Sequence, residues 1–114
     1  MELETEKIDG GVTIVKLRGR MDVRGAQEVD LKFSAVTSAN KGAFIVDMSG
    51  VDFLASIGIR TLLVSAKAVK SRGGSLVLFQ PTALVAGTLE LAGITDILPV
   101  FDDIGAASAA VRAS

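Results

Sequence analysis

The stretch Ile45-Val-Asp-Met-Ser-Gly-Val-Asp-Phe-Leu-Ala-Ser56-Ile-Gly-Ile-Arg60 decides how the chain folds. Its beginning continues Ala43 to Val46, an apolar run without alternation, which is what a strand covered on both faces presents. Its end opens a helix. Ile59, Leu62, Leu63, Ala66 and Val69 mark one face from about Ile57 to Ser71, and Arg72-Gly73-Gly74 closes it with glycines able to take the left-handed cap. The spacing predicts a strand, a short loop and a helix that starts at about Ser56. At such a start backbone N–H groups point outward without partners, so the Ser56 hydroxyl sits where a phosphate would be at home.

Upstream, Leu3 to Ile8 and Val12 to Leu17 are short β-prone runs, and Asp9-Gly10-Gly11 between them signals the turn of a hairpin. From about Val23 to Ala39, Ala26, Val29, Phe33 and Val36 recur at helical spacing, with an end expected near Asn40-Lys41-Gly42. Downstream, Leu76 to Phe79 is a second central strand, and a helix carrying Leu84, Val85, Leu89 and Leu91 follows Pro81-Thr82 and stops at Ala92-Gly93. Ile97 to Phe101 is a last strand, placed at an edge by Pro99. Asp102 or Asp103 caps a small terminal helix with Ile104, Ala107 and Val111.

This order predicts one α/β domain over residues 1–114, with a mixed sheet of about four or five strands, about four helices, an N-terminal hairpin and then βαβ crossovers. If the Val12, Ala43 and Leu76 strands are parallel, Arg20-Met21-Asp22, Asp52 to Gly58 and Gln80 to Thr82 share the carboxyl rim of the sheet. Open α/β sheets usually carry their sites on that rim, so Asp22 and Ser56 are expected to be neighbours.

Composition narrows the chemistry. The absence of cysteine removes disulfides and thiolate ligation, and the absence of histidine removes a Ser-His-Asp triad and imidazole metal sites. Neither a metal nor a cofactor is expected. A net charge of −1, with acids and bases dispersed along the chain, gives no footprint for nucleic acid or an anionic membrane. The chain also lacks Trp and Tyr, so stacking platforms for single strands are not evident. No apolar run reaches the roughly 18 residues of a membrane span, and the polar start Met1-Glu-Leu-Glu-Thr-Glu-Lys7 does not read as a signal peptide. A cytoplasmic protein with protein partners is expected, as a monomer or weak dimer. It is not expected to be an enzyme, because no clustered acid-base pair is in view.

Two accounts of Ser56 stay open on pattern alone. It could be a plain N-cap accepting from the amide of Gly58 or Ile59. Against that, Ile59 stands where a capping box needs Glu or Gln, and Gly58 costs the first turn roughly 1 kcal/mol unless something must approach the backbone there. Leu54, Ala55, Ile57 and Gly58 surround the hydroxyl as a candidate docking patch, and Arg60 lies one turn on. Asp22 is equally a helix cap or a contact residue, and the two roles are compatible. The pair Asp102-Asp103 is too small a ligand set for a metal, and no phosphate-binding glycine motif occurs.

At these residues the chain resembles the STAS domain family, specifically its anti-sigma factor antagonists. Leu17-Arg-Gly-Arg-Met-Asp22 is similar to the family's Gly-x-hydrophobic-Asp turn, and Ile45 to Gly58 to its phosphorylation segment. Ser71-Arg-Gly-Gly-Ser-Leu-Val-Leu78 and Leu89-Glu-Leu-Ala-Gly-Ile-Thr-Asp-Ile-Leu98 resemble its later landmarks. The resemblance implies that Ser56 is phosphorylated by a partner anti-sigma factor, a histidine-kinase-like ATPase acting as a serine kinase, and dephosphorylated by a metal-dependent phosphatase of the PP2C type. The unmodified form then binds the anti-sigma factor and frees sigma, with Asp22, Leu54, Ala55, Ser56, Ile57, Gly58 and Arg60 as the partner-binding set. The chain has Ala55 where an acid often stands and Ile57 where a second small residue often follows. Alternative readings on the same fold are an accessory STAS subunit of a transporter or envelope ATPase assembly, or a small-molecule or nucleotide sensor using Asp22, Ser56 and Thr82.

Overall fold

Two adjacent glycines start the sheet. Gly10 (φ +82°) and Gly11 (φ +74°) adopt backbone conformations that side chains disfavour, and so let β1 (Glu2–Ile8) fold back on β2 (Val12–Met21). The two strands pair antiparallel, with Ile8 opposite Val12 and Glu2 opposite Arg18. The computed structural model describes residues 1–38 and 42–112. The expected end of the first helix near Asn40-Lys41-Gly42 therefore lies largely outside the described residues.

After β2 the chain runs through α1 (Val23–Ser38), β3 (Ala43–Leu54), α2 (Ser56–Ser71), β4 (Ser75–Phe79), α3 (Ala83–Ala92), β5 (Val100–Phe101) and α4 (Ile104–Arg112). The five strands are ordered in space as in sequence, and β2 to β5 are mutually parallel. Among the described residues this is the expected mixed sheet, with the expected four helices. Alternate strand residues feed two unequal cores. Val15, Leu17, Phe44, Val46, Leu76 and Leu78 pack with residues of α1, α2 and α3 on one face, whereas Val12, Ile14, Ile45 and Val77 form a smaller cluster with Ala107 and Val111 of α4 on the other.

Three boundaries differ from the expectation. β3 does not end near Val46 in a short loop; it continues to Leu54. β2 likewise continues from Leu17 to Met21, and the two extensions pair, with Arg18 opposite Gly50, Gly19 opposite Val51, Arg20 opposite Phe53 and Met21 opposite Leu54. Register shifts at Lys16/Arg18 and Gly19/Arg20 break the alternation, so the buried positions of the extension become Met48, Val51 and Leu54, spaced by three. A strand of this kind shows no period-two signal. β5 is shorter than expected, beginning at Val100 beyond Pro99, while Ile97 is exposed.

Helix termini follow simple chemistry. Thr82 caps α3 by accepting from Val85 N at 3.3 Å, and Gly93 ends it in the left-handed conformation. Asp103 Oδ2 caps α4 through Ala106 N at 2.8 Å. Arg72, just past the end of α2, donates from Nη2 to Thr37 O at 2.6 Å, tying the end of α2 to the last turn of α1.

Glycines separate obligatory close approach from mere tolerance. A Cβ on Gly25 would lie 1.9 Å from Arg20 O, whereas one on Gly87 in α3 would meet nothing within 4 Å. Gly25→Ala is expected to destabilise the domain by about 3 kcal/mol or more by overpacking, and Gly87→Ala to stabilise it by about 0.4–1 kcal/mol. Urea unfolding of the two variants beside the parent measures both signs.

Candidate functional site

The β2 and β3 extensions finish together. Beyond the Met21–Leu54 pair, Ala55 N donates to Met21 O at 2.9 Å, and the chains then turn into α1 and α2. Asp22 and the start of α2 thus share the carboxyl rim of the sheet, as the parallel topology requires. The β4 exit joins them there: Thr82 Oγ1 lies 3.5 Å from Val51 O, and Gln80, just before it, has φ +50°.

Ser56 is not the cap of α2. The N-cap is Ala55, with extended backbone (φ −91°, ψ 167°) and no side chain able to accept. The Gly58 and Ile59 amides, assigned to the Ser56 hydroxyl in the cap reading, instead reach Ala55 O at 2.9 and 3.1 Å. Ser56 is therefore the first helical residue, exposed, and its hydroxyl makes no hydrogen bond among the described residues. The fold does not use it.

Gly58 also has an internal explanation. A Cβ there would come within 2.8 Å of both Leu54 Cδ1 and Met21 Cγ, so what approaches the helix backbone is the core itself, not a ligand. Leu54 and Gly58 are buried and offer no surface to a partner. Ala55 and Ile57 are half-buried, and Ser56 and Arg60 are exposed. Of the expected set, then, Leu54 and Gly58 shape the rim from beneath while Asp22, Ala55, Ser56, Ile57 and Arg60 reach its surface.

Asp22 takes the cap role that its sequence allowed and also pairs with an arginine. Its Oδ1 accepts from Gly25 N at 2.8 Å, capping α1, and its Oδ2 accepts from Arg20 Nε at 3.2 Å. The Gly25 amide, and next the Arg20 charge, hold the carboxyl below the usual Asp range, so Asp22 stays ionised at neutral pH. Arg20 is further placed by Phe53, whose ring centroid lies 4.0 Å from Cζ. Neither Arg20 nor Phe53 was singled out from the sequence, because their meeting depends on the extended β2–β3 register. A groove of about 400 Å³ also runs from this rim between α1 and α2, lined by Gln27, Asp30, Ile57, Arg60, Thr61 and Val64.

The two helix starts respond differently to substitution. Ala55→Asp supplies α2 with the missing cap and is expected to stabilise by about 1 kcal/mol, while Ser56→Ala stays within about 0.5 kcal/mol of the parent. Both are read by chemical denaturation. Asp22 is depressed in the folded state, so its contribution is complete above the unfolded Asp value of about 3.9 and is lost as pH falls through the lower folded value. Asp22→Asn, which can still cap α1, is expected to flatten the acid limb of a stability-against-pH curve below about pH 4.

Comparison with known proteins agrees with this architecture. The chain is 30% identical over 112 residues to BtrV of Bordetella bronchiseptica, named as a candidate anti-sigma factor antagonist, covering 98% of this chain and 96% of that one. An anti-sigma factor antagonist from Mycobacterium paratuberculosis superposes with a TM-score of 0.85 at 24% identity, over 97% of this chain and 93% of that one. The anti-sigma factor antagonist SpoIIAA, solved unphosphorylated (TM-score 0.76, 17% identity, 99% and 98% of the chains) and, from Bacillus, phosphorylated (0.70, 14%, 96% and 99%), shares the fold. The model of the STAS domain family matches residues 3–107, and with the mixed sheet and four helices in place the chain belongs to that family.

Proposed function

We propose that the protein is an anti-sigma factor antagonist whose docking surface is the rim around Ser56, and that phosphorylation of Ser56 switches docking off. One observation carries this reading: Ser56 presents an exposed hydroxyl, unused by the fold, on the first residue of a helix whose N-cap is an alanine. The relationship to BtrV over nearly the whole chain supports the functional class, and the two forms of SpoIIAA support control by phosphate.

The chemistry suits a switch that leaves the fold intact. A kinase transfers the γ-phosphoryl group of ATP to Ser56 Oγ, ADP leaves, and the hydroxyl proton passes to a base of the kinase. The product carries about −1.5 to −2 charges at pH 7. That charge sits at the favourable end of the α2 dipole, with Arg60 one turn further on, so the helix has no reason to melt. Towards a partner the balance reverses. The phosphate adds to the ionised Asp22 and must be desolvated if the rim is buried, and each 1.4 kcal/mol of that cost weakens binding about tenfold. The nearby Thr61 hydroxyl is a less suitable acceptor: Thr61 is half-buried and its Oγ1 donates to Ile57 O at 3.1 Å.

In this role the chain is the substrate of an anti-sigma serine kinase and of an opposing phosphatase, and catalyses neither step. Incubation with the anti-sigma kinase and ATP, followed by intact-mass measurement and site mapping, is expected to show one phosphoryl group on Ser56. Ser56→Ala is expected to stay unmodified, to keep the parent's stability and to bind the unloaded partner, while Ser56→Asp loses about tenfold or more in affinity. Phosphate persisting in Ser56→Ala would move the site elsewhere.

A further inference from the structure

β2 carries three cations, Lys16, Arg18 and Arg20, interleaved with the buried Val15, Leu17 and Met21. Two are neutralised by the neighbouring strand. Lys16 Nζ lies 3.2 Å from Glu6, and Arg18 lies 3.4 Å from Glu2 and 3.8 Å from Glu4. The β1–β2 register ends with Glu2 opposite Arg18, so Arg20 lies past the reach of that glutamate row. Its one ion pair among the described residues is with Asp22, made through Nε, and the other Asp22 oxygen is committed to the start of α1. The guanidinium is fixed on one face by Phe53 and on one edge by Asp22, while no hydrogen bond or ion pair among the described residues engages Nη1 or Nη2.

We infer that Arg20 is a specificity-determining residue of the rim, presenting its two terminal amino groups to a carboxylate on the anti-sigma partner. The inference rests on the docking role given to the rim above. A surface arginine ordinarily loses much rotamer freedom on being gripped; here stacking and the Asp22 pair have already removed most of it, so a bidentate contact is less costly to form. The chemistry favours a carboxylate of a protein over a polyanion. Lys16 and Arg18 are already paired and the chain's net charge is −1, so Arg20 is a solitary directional donor and not part of a basic patch. Its position two residues before Asp22 makes the contact continuous with the surface around Ser56.

The test is calorimetric titration of the full chain with the anti-sigma kinase that modifies Ser56, at low and moderate salt, using the parent, Arg20→Gln, Arg20→Lys and Phe53→Leu. Arg20→Gln is expected to lose about tenfold or more in affinity and part of the salt dependence, as removal of a charge-assisted pair does. Arg20→Lys recovers only part of the loss, because an ammonium is not a planar fork, and Phe53→Leu loses less than Arg20→Gln while keeping the charge. Thermal unfolding of each variant close to the parent's separates recognition from folding. A parent that binds while Arg20→Gln stays within about twofold of it, with unchanged salt dependence, overturns the role of Arg20 alone. A parent that does not bind the kinase overturns the docking role of the rim, and this inference with it.

Discussion

The rim depends on a short piece of parallel pairing, Met21 against Leu54, closed by the 2.9 Å hydrogen bond from Ala55 N to Met21 O. Both strands stop there together, so two helix starts more than thirty residues apart in sequence emerge side by side. Met21 and Leu54 are fully or nearly fully buried, and both press against the Gly58 backbone from below. The exposed Ser56 hydroxyl is thus mounted on a closely packed part of the core. A group that must meet a kinase and a binding partner in one orientation benefits from such a foundation, because little order remains to be imposed on contact.

The sequence disclosed the elements that have a clean period or clean punctuation. The apolar runs at Ala43 to Val46 and Leu76 to Phe79, the helical spacing from Val23 and from Ile57, and the Gly73 and Gly93 stops all stand where they were read. The strand extensions were not legible, and the reason is mechanical: register shifts turn an alternating pattern into Met48, Val51 and Leu54, with polar Asp47 before them and Ser49 and Asp52 between them. Residues of low β propensity such as Asp47 and Gly50 are held there by pairing with Lys16 and Arg18 of β2, not by local preference. The same gap hid Arg20 and Phe53, whose contact exists only in the shifted register.

The site was legible in outline and misjudged in detail. Asp22 and Ser56 meet the same rim, but the caps are distributed differently from the sequence reading. Asp22 caps its helix and orients an arginine, while Ser56 caps nothing because Ala55 occupies the N-cap position. Gly58 looked like an invitation to a ligand and proves to be a seat for Met21 and Leu54. Sequence marks small residues; only packing tells what they make room for.

The glutamates of β1 have a consequence beyond pairing with β2. β1 is the outer strand of the sheet, and Glu2, Glu4 and Glu6 recur at every second position along it. Their charges are balanced on the inner side by Lys16 and Arg18, but a strand arriving at the open edge from another copy would bring its own glutamates against them. Like charges facing each other across a ladder oppose that pairing. The acidic border therefore disfavours edge-to-edge pairing of two copies through β1.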